Sequence, residues 1–478
     1  MKKLILFILP ALLLTTSCVD SLDDYNVNPK AATAVPGVSL VSNAQRNLIR
    51  TTTSTSVNLN PFRLYVQYWA ETTYFDESIY NINTRAINGS FWTTLYRDVL
   101  RDTQEATNII SADELLNADV KANQLACIEV LNVYTWATLV NTFDNIPYTE
   151  ALDFANSQPK YDDAATIYAD LITRLDAAIG QMKAGADGLG NADLIYGGRM
   201  ASWIKFANSL KLRLALTIAD ADAAKAKTMA EQAAPNVFAS NAEEAKVDFL
   251  SAPPSTNPLW EQLVQSGRND FVGTSFFIDR LNTLNDPRVG AYFKPLSGST
   301  TTVYKGGIYG TNNNYQSFSA PGTILEDPTL PGYMLTYSET EFLLAEAAAR
   351  GYSVGGTAAS HYEAGVTASI LTWGGTQAAA TTYLAQPSVA YATAAGDYKQ
   401  KIGIQKWIAL YDQPVEAWTE WRRLDYPKLT KPDQALSEIP LRFPYPTVEQ
   451  NLNTTSYNAA ATAIGGDEVT TKIFWDKF

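Results

Sequence analysis

Two stretches of the chain place flat aromatic rings beside amide side chains, a combination that suits the binding of neutral molecules rich in hydroxyl groups. The first stretch runs from residue 74 to 92, and the second from residue 257 to 318. Aromatic rings stack on the C–H faces of such molecules, while amides, carboxylates and arginine form paired hydrogen bonds with neighbouring hydroxyls. Because these groups work best on loops held by a rigid scaffold, we predict that both stretches are binding loops.

The first stretch offers two rings and three polar side chains. Its candidates are Tyr80 and Trp92 for stacking, and Asn81, Asn83 and Arg85 for hydrogen bonds. A second interpretation is equally open, in which Trp92 belongs to the hydrophobic core and Arg85 pairs with Asp76 or Glu77. The residue types alone do not decide between these interpretations.

The second stretch is rich in Pro, Gly, Asn, Ser and Tyr. Its candidates are Trp260 and Tyr315 for stacking, and Asn312, Asn313 and Asn314 for contacts with hydroxyl groups. The run of three asparagines also suits a tight turn, because asparagine tolerates a left-handed backbone.

Paired carboxylates could give the same loops a catalytic role. Two carboxylates are sufficient for glycoside hydrolysis, and the candidate pairs are Asp76 with Glu77, and Asp270 with Glu261. With 49 acidic residues, however, accidental pairs are common, and the side chains of adjacent residues tend to diverge. We therefore expect a binding protein without catalytic activity, and a surface hydrolase remains the alternative.

We predict no metal and no cofactor. The chain has a single histidine, which excludes a zinc site with several histidine ligands, and no EF-hand spacing is present. The formal net charge of −13 argues against nucleic-acid binding, because an acidic surface repels the phosphate backbone.

The amino terminus has the pattern of an exported lipoprotein. Lys2 and Lys3 precede an apolar run at residues 4–14, which is too short for a membrane span of about 20 residues. The following segment, Leu-Thr-Thr-Ser-Cys, resembles a bacterial lipobox and implies that Cys18 carries lipid. An ordinary signal peptide cleaved near Ser17 is the alternative. If Cys18 is acylated, Cys127 has no disulfide partner and is expected to be a buried thiol on a helix.

Helical periodicity dominates the remainder of the chain and must provide the scaffold. Apolar residues recur at helical spacing in many segments, among them 61–69, 167–182, 203–218, 339–350, 398–411 and 415–424. Helices of this length joined by short turns predict stacked helical hairpins, and residues 251–332 form a long irregular insertion. We expect the charged residues of the 339–350 helix, such as Glu339 and Glu346, to be exposed to solvent.

Four segments resemble the SusD/RagB family of outer-membrane nutrient-binding lipoproteins. They are residues 203–216 (WIKFANSLKLRLAL), 335–347 (LTYSETEFLLAEA), 405–411 (QKWIALY) with 420–424 (EWRRL), and 439–446 (IPLRFPYP). The resemblance implies a mainly α-helical fold, a tetratricopeptide-like scaffold of helical pairs with an irregular ligand-facing insertion. It divides the chain into a signal peptide at 1–17, a lipid-anchored tether at 18–36, and one domain at 37–478 with the insertion at about 251–332.

The same resemblance implies a function. The protein would be tethered to the outer membrane by lipid, facing the cell surface, and would associate with a TonB-dependent SusC-like β-barrel transporter. It would bind oligosaccharides, or in some relatives peptides, and deliver them to that transporter without catalysis. By position, residues 74–92 would contribute to the ligand site. A purely structural adaptor without a ligand site is a further alternative.

Overall fold

Paired α-helices form most of the protein in the computed structural model, which describes residues 35–82 and 85–478. Residues Gly37–Phe478 form one compact unit. The predictions for the signal peptide, for Cys18, for the tether up to residue 34 and for Asn83 concern residues outside the described ranges. Within those ranges, no helix combines the length and apolar character needed to cross a bilayer.

Short connections join many of the described helices, and the longest stretch without an α-helix is at residues 293–336. The helices are α1 (Gly37–Thr53), α2 (Phe62–Tyr65), α3 (Ile87–Thr93), α4 (Arg101–Ala112), α5 (Ala118–Phe143), α6 (Ala164–Gln181), α7 (Met200–Thr217), α8 (Ala223–Ala233), α9 (Pro258–Trp260), α10 (Ser275–Thr283), α11 (Val289–Tyr292), α12 (Tyr337–Ala349), α13 (Ala358–Thr372), α14 (Gln377–Leu384), α15 (Tyr398–Ala409), α16 (Pro414–Leu424), α17 (Thr447–Leu452) and α18 (Thr454–Ala463). A π-helical segment, Thr94–Leu100, joins α3 to α4.

Local chemistry explains where several helices begin and end. The Asn117 side chain accepts hydrogen bonds from the backbone N–H groups of Asp119 and Val120 at the start of α5. Thr357 and Ser360 form a reciprocal capping box at the start of α13. Gly351, with φ of +80°, follows the end of α12 in the left-handed conformation that glycine adopts without steric cost.

Neighbouring helices pack as pairs, and the predicted mainly α-helical scaffold is confirmed. Helix α5 packs against α6, α7 against α8, and α12 against α13. The core between the pairs is rich in large aromatic side chains, and Trp203, Trp407 and Trp418 are fully buried. Burying several rings of this size supplies much of the hydrophobic stabilisation of the scaffold.

The described strands are short and form three two-stranded antiparallel sheets. Strand β1 (Trp69–Glu71) pairs with β5 (Phe271–Gly273), β2 (Ile146–Pro147) with β3 (Tyr161–Asp162), and β4 (Ala245–Val247) with β6 (Gly332–Leu335). In the first sheet Trp69 lies opposite Gly273, and Glu71 lies opposite Phe271. This pairing joins the segment that follows α2 to the irregular insertion.

The helix predicted at residues 61–69 is only partly correct. It ends at Tyr65, and Trp69 belongs to β1 instead. The chain turns at Gln67, whose φ of +57° is incompatible with a continuing right-handed helix. The Gln67 carbonyl accepts a hydrogen bond from the Thr274 hydroxyl, so a contact distant in sequence overrides the local apolar spacing.

The prediction that the charged face of α12 is exposed was wrong. Glu339 and Glu346 are fully buried. Glu339 forms a bidentate pair with Arg213, at 2.7 Å for both contacts, and Glu346 forms one with Arg423, at 2.6 and 2.5 Å. Because helices surround α12 on all sides, its carboxylates find arginines from other elements rather than water.

The buried thiol is confirmed. Cys127 lies on α5 with no exposed surface, and its sulfur is 3.7 Å from the sulfur of Met200. Burial raises the pKa of the Cys127 thiol well above its ordinary value, as expected for an unreactive structural cysteine.

Candidate functional site

The two candidate loops meet on one face of the molecule, because β1 ends at the first loop and β5 lies inside the insertion. Beyond the sheet, the Thr72 backbone N–H donates to the Asp270 carbonyl at 2.9 Å, and the Thr72 hydroxyl donates to the Asn269 carbonyl at 2.6 Å. The Asn313 amide also donates to the Glu71 carbonyl at 2.9 Å. These contacts join the two segments, and we call the surface formed by the exposed side chains of residues 72–82 and 257–318 the loop face.

A close backbone approach holds the insertion in place. Residues Gly306 and Gly307 pass beside the start of α10, and Thr274 forms an isolated parallel bridge with Gly307. A Cβ atom on Gly306 would lie 2.2 Å from the backbone nitrogen of Ser275, so only glycine fits there. Glycine is therefore required at residue 306 by a backbone contact that exists only in the folded insertion, and the sequence alone does not reveal this requirement.

Three rings of the loop face are accessible. Tyr74 is 66% exposed, while Trp260 and Tyr315 are half-buried. Trp260 ends the short helix α9, and Tyr315 begins a short 3-10 helix whose first turn is capped by Asn314. These rings stand where a ligand could stack on them, and Asn312 is exposed nearby in sequence.

Tyr74 is a candidate that sequence reasoning did not single out. It follows β1 with a left-handed backbone, φ of +55°, and lies close to the exposed pair formed by Arg268 and Asp270. That pair is bidentate, at 2.6 and 2.8 Å. The sequence shows an aromatic residue in a loop, but only the backbone conformation turns its ring outward.

Several predicted contacts in the first loop have structural roles instead. Trp92 is 6% exposed and packs against Tyr96 and Phe143, with ring centroids 4.7 and 4.9 Å away, so it belongs to the core. Arg85 places its Nε 2.9 Å from a Glu77 carboxylate oxygen and its Nη2 3.6 Å from Asp76. The structure therefore favours the interpretation in which Trp92 belongs to the hydrophobic core and Arg85 pairs with Asp76 and Glu77.

Tyr80 and Asn81 lie partly beneath the loop face. Tyr80 is 4% exposed, with its ring 5.9 Å from that of Tyr65 and 6.3 Å from that of Tyr309. Burial raises the pKa of Tyr80 to about 12. Asn81 is half-buried and its amide donates to Asp76 at 3.3 Å. Tyr80 is too buried to offer a ring face for stacking in this conformation.

Asn313 acts as the centre of a turn. Its side-chain oxygen accepts from the Ile308 backbone N–H at 2.8 Å, and its amide nitrogen donates to the carbonyls of Glu71, Ile308 and Thr311 at 2.9 Å each. The residue is 6% exposed. This geometry favours the turn interpretation for Asn313. Asn312 and Asn314 are both exposed, and the Asn314 side-chain oxygen accepts from the Gln316 backbone N–H at 2.9 Å.

The candidate catalytic carboxylates are all engaged by arginines. Asp76 and Glu77 share Arg85, and Asp270 is held by Arg268. Glu261 is bound by Arg50 at 3.0 and 2.7 Å and also accepts from the Thr256 hydroxyl. Asp76, Glu261 and Asp270 each therefore have an arginine as ionic partner, whereas burial raises the pKa of Glu77 although Arg85 opposes the shift. Among the described residues, no cluster of three or more potential metal ligands occurs.

A cleft of about 550 Å³ opens beside Tyr309, at the edge of the loop face. Phe276 and Arg280 of α10 contribute to its lining, together with Gln67 of the β1 connection. Thr430 and Pro432, from the loop after α16, complete it, and the Gln67 amide donates to the Thr430 carbonyl at 2.7 Å. The cleft therefore combines one ring face, several hydroxyl and amide groups, and one cation.

Comparison with known proteins assigns the fold to a family. A profile of the SusD-like family, described as starch-binding and associating with the outer membrane, matches residues 29–446. The chain belongs to the SusD-like family. A comparison of the sequence with curated proteins found no match.

Solved structures of SusD-like proteins superimpose on this SusD-like chain over nearly its whole length. A chitin-binding protein is 27% identical, with a TM-score of 0.81, and the alignment covers 92% of this chain and 100% of that protein. A chitin-binding SusD homologue from Flavobacterium johnsoniae is 25% identical, with a TM-score of 0.78 and coverage of 92% and 98%. A SusD homologue from Bacteroides uniformis is 26% identical, with a TM-score of 0.78 and coverage of 92% and 99%.

Proposed function

We propose that this SusD-like protein is a non-catalytic receptor that binds oligosaccharides on the loop face and delivers them to a SusC-like TonB-dependent transporter. Lipid on Cys18 would hold it at the outer membrane, in agreement with the family's described association with that membrane. The observation that carries the proposal is the meeting of two aromatic and amide-bearing loops on one face of a SusD-like scaffold. The transporter partner and the delivery step follow from membership of the family.

The geometry of the loop face supports a saccharide ligand. Tyr74, Trp260 and Tyr315 offer partly exposed rings from three separate segments, and such rings suit the C–H faces of sugars. Asn312 and the paired Arg268 and Asp270 provide hydrogen-bonding groups. Because two of the similar structures are chitin-binding proteins, N-acetylated oligosaccharides are the first ligands to examine.

The absence of turnover is part of the proposal. Glu261 and Asp270 each contact an arginine of their own, and Asp76 and Glu77 share Arg85, so each of these candidate carboxylates already has an ionic partner. Incubating the purified protein with the oligosaccharide that it binds, followed by mass spectrometry, should return the ligand intact. The appearance of shorter products that disappear in an Asp or Glu variant would favour the hydrolase alternative.

Isothermal titration tests the binding proposal directly. We expect chito- or malto-oligosaccharides to bind, and we expect Tyr74→Ala and Trp260→Ala to weaken binding by about 3- to 10-fold each, the typical contribution of one aromatic contact. Phe154→Ala is the matched control, because Phe154 is an 84% exposed ring located outside the loop face.

Two outcomes would contradict the proposal. If correctly folded protein binds peptides but no oligosaccharide in the panel, the peptide-binding alternative replaces it. If Phe154→Ala weakens binding as much as Tyr74→Ala and Trp260→Ala do, the loop face is not the site.

A further inference from the structure

The arginine of the cleft beside Tyr309 is unusual among the buried cations of this protein. Arg280 is half-buried, yet its guanidinium forms neither a hydrogen bond nor an ion pair with any described residue. Its Nε atom is fully buried and unpartnered, whereas its terminal nitrogens are not buried. A guanidinium carries five N–H donors, and removing it partly from water without a partner is costly.

The other buried or half-buried arginines in the described ranges all have partners. Those with carboxylate partners are Arg50, Arg63, Arg85, Arg174, Arg213, Arg288, Arg350, Arg423 and Arg442. Arg46, Arg101 and Arg422 donate to backbone carbonyls. Arg280 is thus the exception among the buried and half-buried arginines of the described ranges, and it lines a cleft.

The acidic residue next to it in sequence does not neutralise Arg280. Asp279 is exposed and also lines the cleft, but consecutive helical side chains point in different directions, and no ion pair joins the two. Burial lowers the pKa of Arg280, with Tyr383 as the only opposing charge contribution. Within the described ranges the Arg280 guanidinium is therefore not ion-paired, although the Asp279 carboxylate lines the same cleft.

The remaining lining of the cleft suits a sugar ring. Phe276 provides an apolar surface, with the Arg280 guanidinium carbon 5.7 Å from its ring centroid. Thr283 and Thr430 add polar groups to the lining, whereas the Tyr309 hydroxyl is buried on the side of Tyr80 and Glu71. A volume of about 550 Å³ accommodates a ligand of two or three sugar units.

We propose that this cleft binds the carboxylate of a uronic acid residue, so that the ligand of this SusD-like protein is an acidic oligosaccharide. The inference rests on the proposed oligosaccharide-binding function and specifies its ligand class. A planar guanidinium binds a planar carboxylate through two parallel hydrogen bonds, and the exposed Thr283 on the same lining offers a polar contact to the sugar. Arg280 is the one cation among the described residues that line the cleft, and the Asp279 carboxylate lines it too, so the cleft suits a single acidic group rather than a polyanion.

The test compares two ligands that differ only in charge. Neutral oligosaccharides that end in a single uronic acid residue, and the methyl esters of the same compounds, have the same rings and linkages, but only the free acid carries a carboxylate. We expect the free acid to bind the full-length protein more tightly than the ester, and we expect Arg280→Gln to weaken binding of the acid by about 10- to 100-fold, as for a lost hydrogen bond to a charged group. Binding of the ester should change by less than about twofold on the same substitution.

Two further variants separate recognition from general effects of charge and folding. Arg199→Gln removes an exposed cation that does not line the cleft, and it should bind the free acid as the wild type does. Arg280→Lys keeps the charge but loses the planar fork, so it should bind with intermediate affinity. Because Arg280 has no partner, Arg280→Gln should melt at the same temperature as the wild type or higher, and a lower melting temperature would contradict our account of this residue.

The outcomes distinguish the inference from the proposed function. If neutral oligosaccharides bind and the free acids bind no better than their esters, the inference fails and the receptor function stands. If no oligosaccharide of either kind binds to the folded protein, the proposed function fails as well. Preferential binding of acidic peptides over acidic sugars would overturn the ligand class.

Discussion

At the scale of single residues, a buried carboxyl group supports the loop that carries Tyr74. Glu71 ends β1, and its Oε2 accepts hydrogen bonds from the backbone N–H and the hydroxyl of Ser78, at 3.2 and 2.7 Å. Burial raises the pKa of Glu71 to about 9, and the neighbouring carboxylate of Glu77 adds to this effect. The group is therefore protonated in the folded protein at neutral pH, where an unfolded glutamate is ionised.

This difference makes Glu71 a source of pH-dependent stability. The unfolded chain releases the proton near pH 4.3 and the folded chain near pH 9, so the stability contributed by this group falls as the pH rises between these values. The slope for one such proton is about 1.4 kcal/mol per pH unit. Glu71→Gln keeps the acceptor for Ser78 and cannot ionise, so its free energy of unfolding should fall less steeply with pH than that of the wild type.

Urea denaturation between pH 5.5 and 8.5 provides the measurement. Glu244→Gln is the matched control, because burial raises the pKa of Glu244 only to about 7. That variant should differ in slope from the wild type mainly below pH 7, whereas Glu71→Gln should still differ at pH 8. Parallel curves for Glu71→Gln and the wild type would show that Glu71 is already ionised in the folded state.

At the scale of secondary-structure elements, buried ion pairs hold α12, α15 and α16 together. Arg423 of α16 contacts Glu346 of α12 at 2.6 and 2.5 Å and Glu420 at 3.0 and 2.6 Å. Lys406 of α15 reaches Glu420 at 2.7 Å. Burial alone would raise the pKa of Glu420, but Arg423 and Lys406 outweigh it and lower that pKa to about 2. Both carboxylates are thus charged inside the protein.

Removing the shared cation should be strongly destabilising. Arg423→Met keeps much of the apolar stem but leaves Glu346 and Glu420 buried without their main partner, which should cost about 3–5 kcal/mol in the free energy of unfolding. Arg97→Met breaks an exposed bidentate pair with Asp98 and should cost less than about 1 kcal/mol. Equal chemical denaturation midpoints for the two variants would show that the buried network contributes no more than a surface pair.

The elements also show which features a sequence can predict. The positions of most helices follow from apolar spacing at 3.6 residues per turn. For example, this spacing predicts a helix around Trp203, and α7 is found there. Exposure of charged and aromatic side chains depends on neighbours that are distant in sequence. Glu346 looked like a surface residue because its partner Arg423 lies 77 residues away, and Trp92 looked like a ligand contact because Phe143 is not adjacent to it.

The candidate site was predictable only as two segments of chain. Composition indicated that residues 74–92 and 257–318 carry binding groups, but the β1–β5 pairing that joins them rests on strands of three residues each. Strands this short give almost no periodic signal. The roles of individual residues, such as the turn-forming Asn313, follow from hydrogen bonds that only the folded backbone creates.

At the scale of the whole molecule, the proposed attachment to the outer membrane depends on lipid at Cys18. The net charge of −13 becomes −15 if cleavage removes Lys2 and Lys3, and a protein this acidic is repelled by anionic lipid headgroups. No described helix could span the bilayer. Bacterial lipoprotein anchors carry several acyl chains on one cysteine, and multiple chains give stable membrane binding where a single chain does not.

Substituting the two cysteines of the chain separately tests this anchor. Cys18→Ala expressed in a host with a lipoprotein pathway should lose incorporation of radiolabelled palmitate and move from the membrane fraction to the soluble fraction. Cys127→Ala should keep both the label and the membrane association, because Cys127 is a buried thiol packed beside Met200. Oligosaccharide affinity of the released Cys18→Ala protein should match that of the wild type, since the loop face lies within the compact unit Gly37–Phe478. Retention of Cys18→Ala in washed membranes would mean that another part of the molecule binds the membrane or a protein embedded in it.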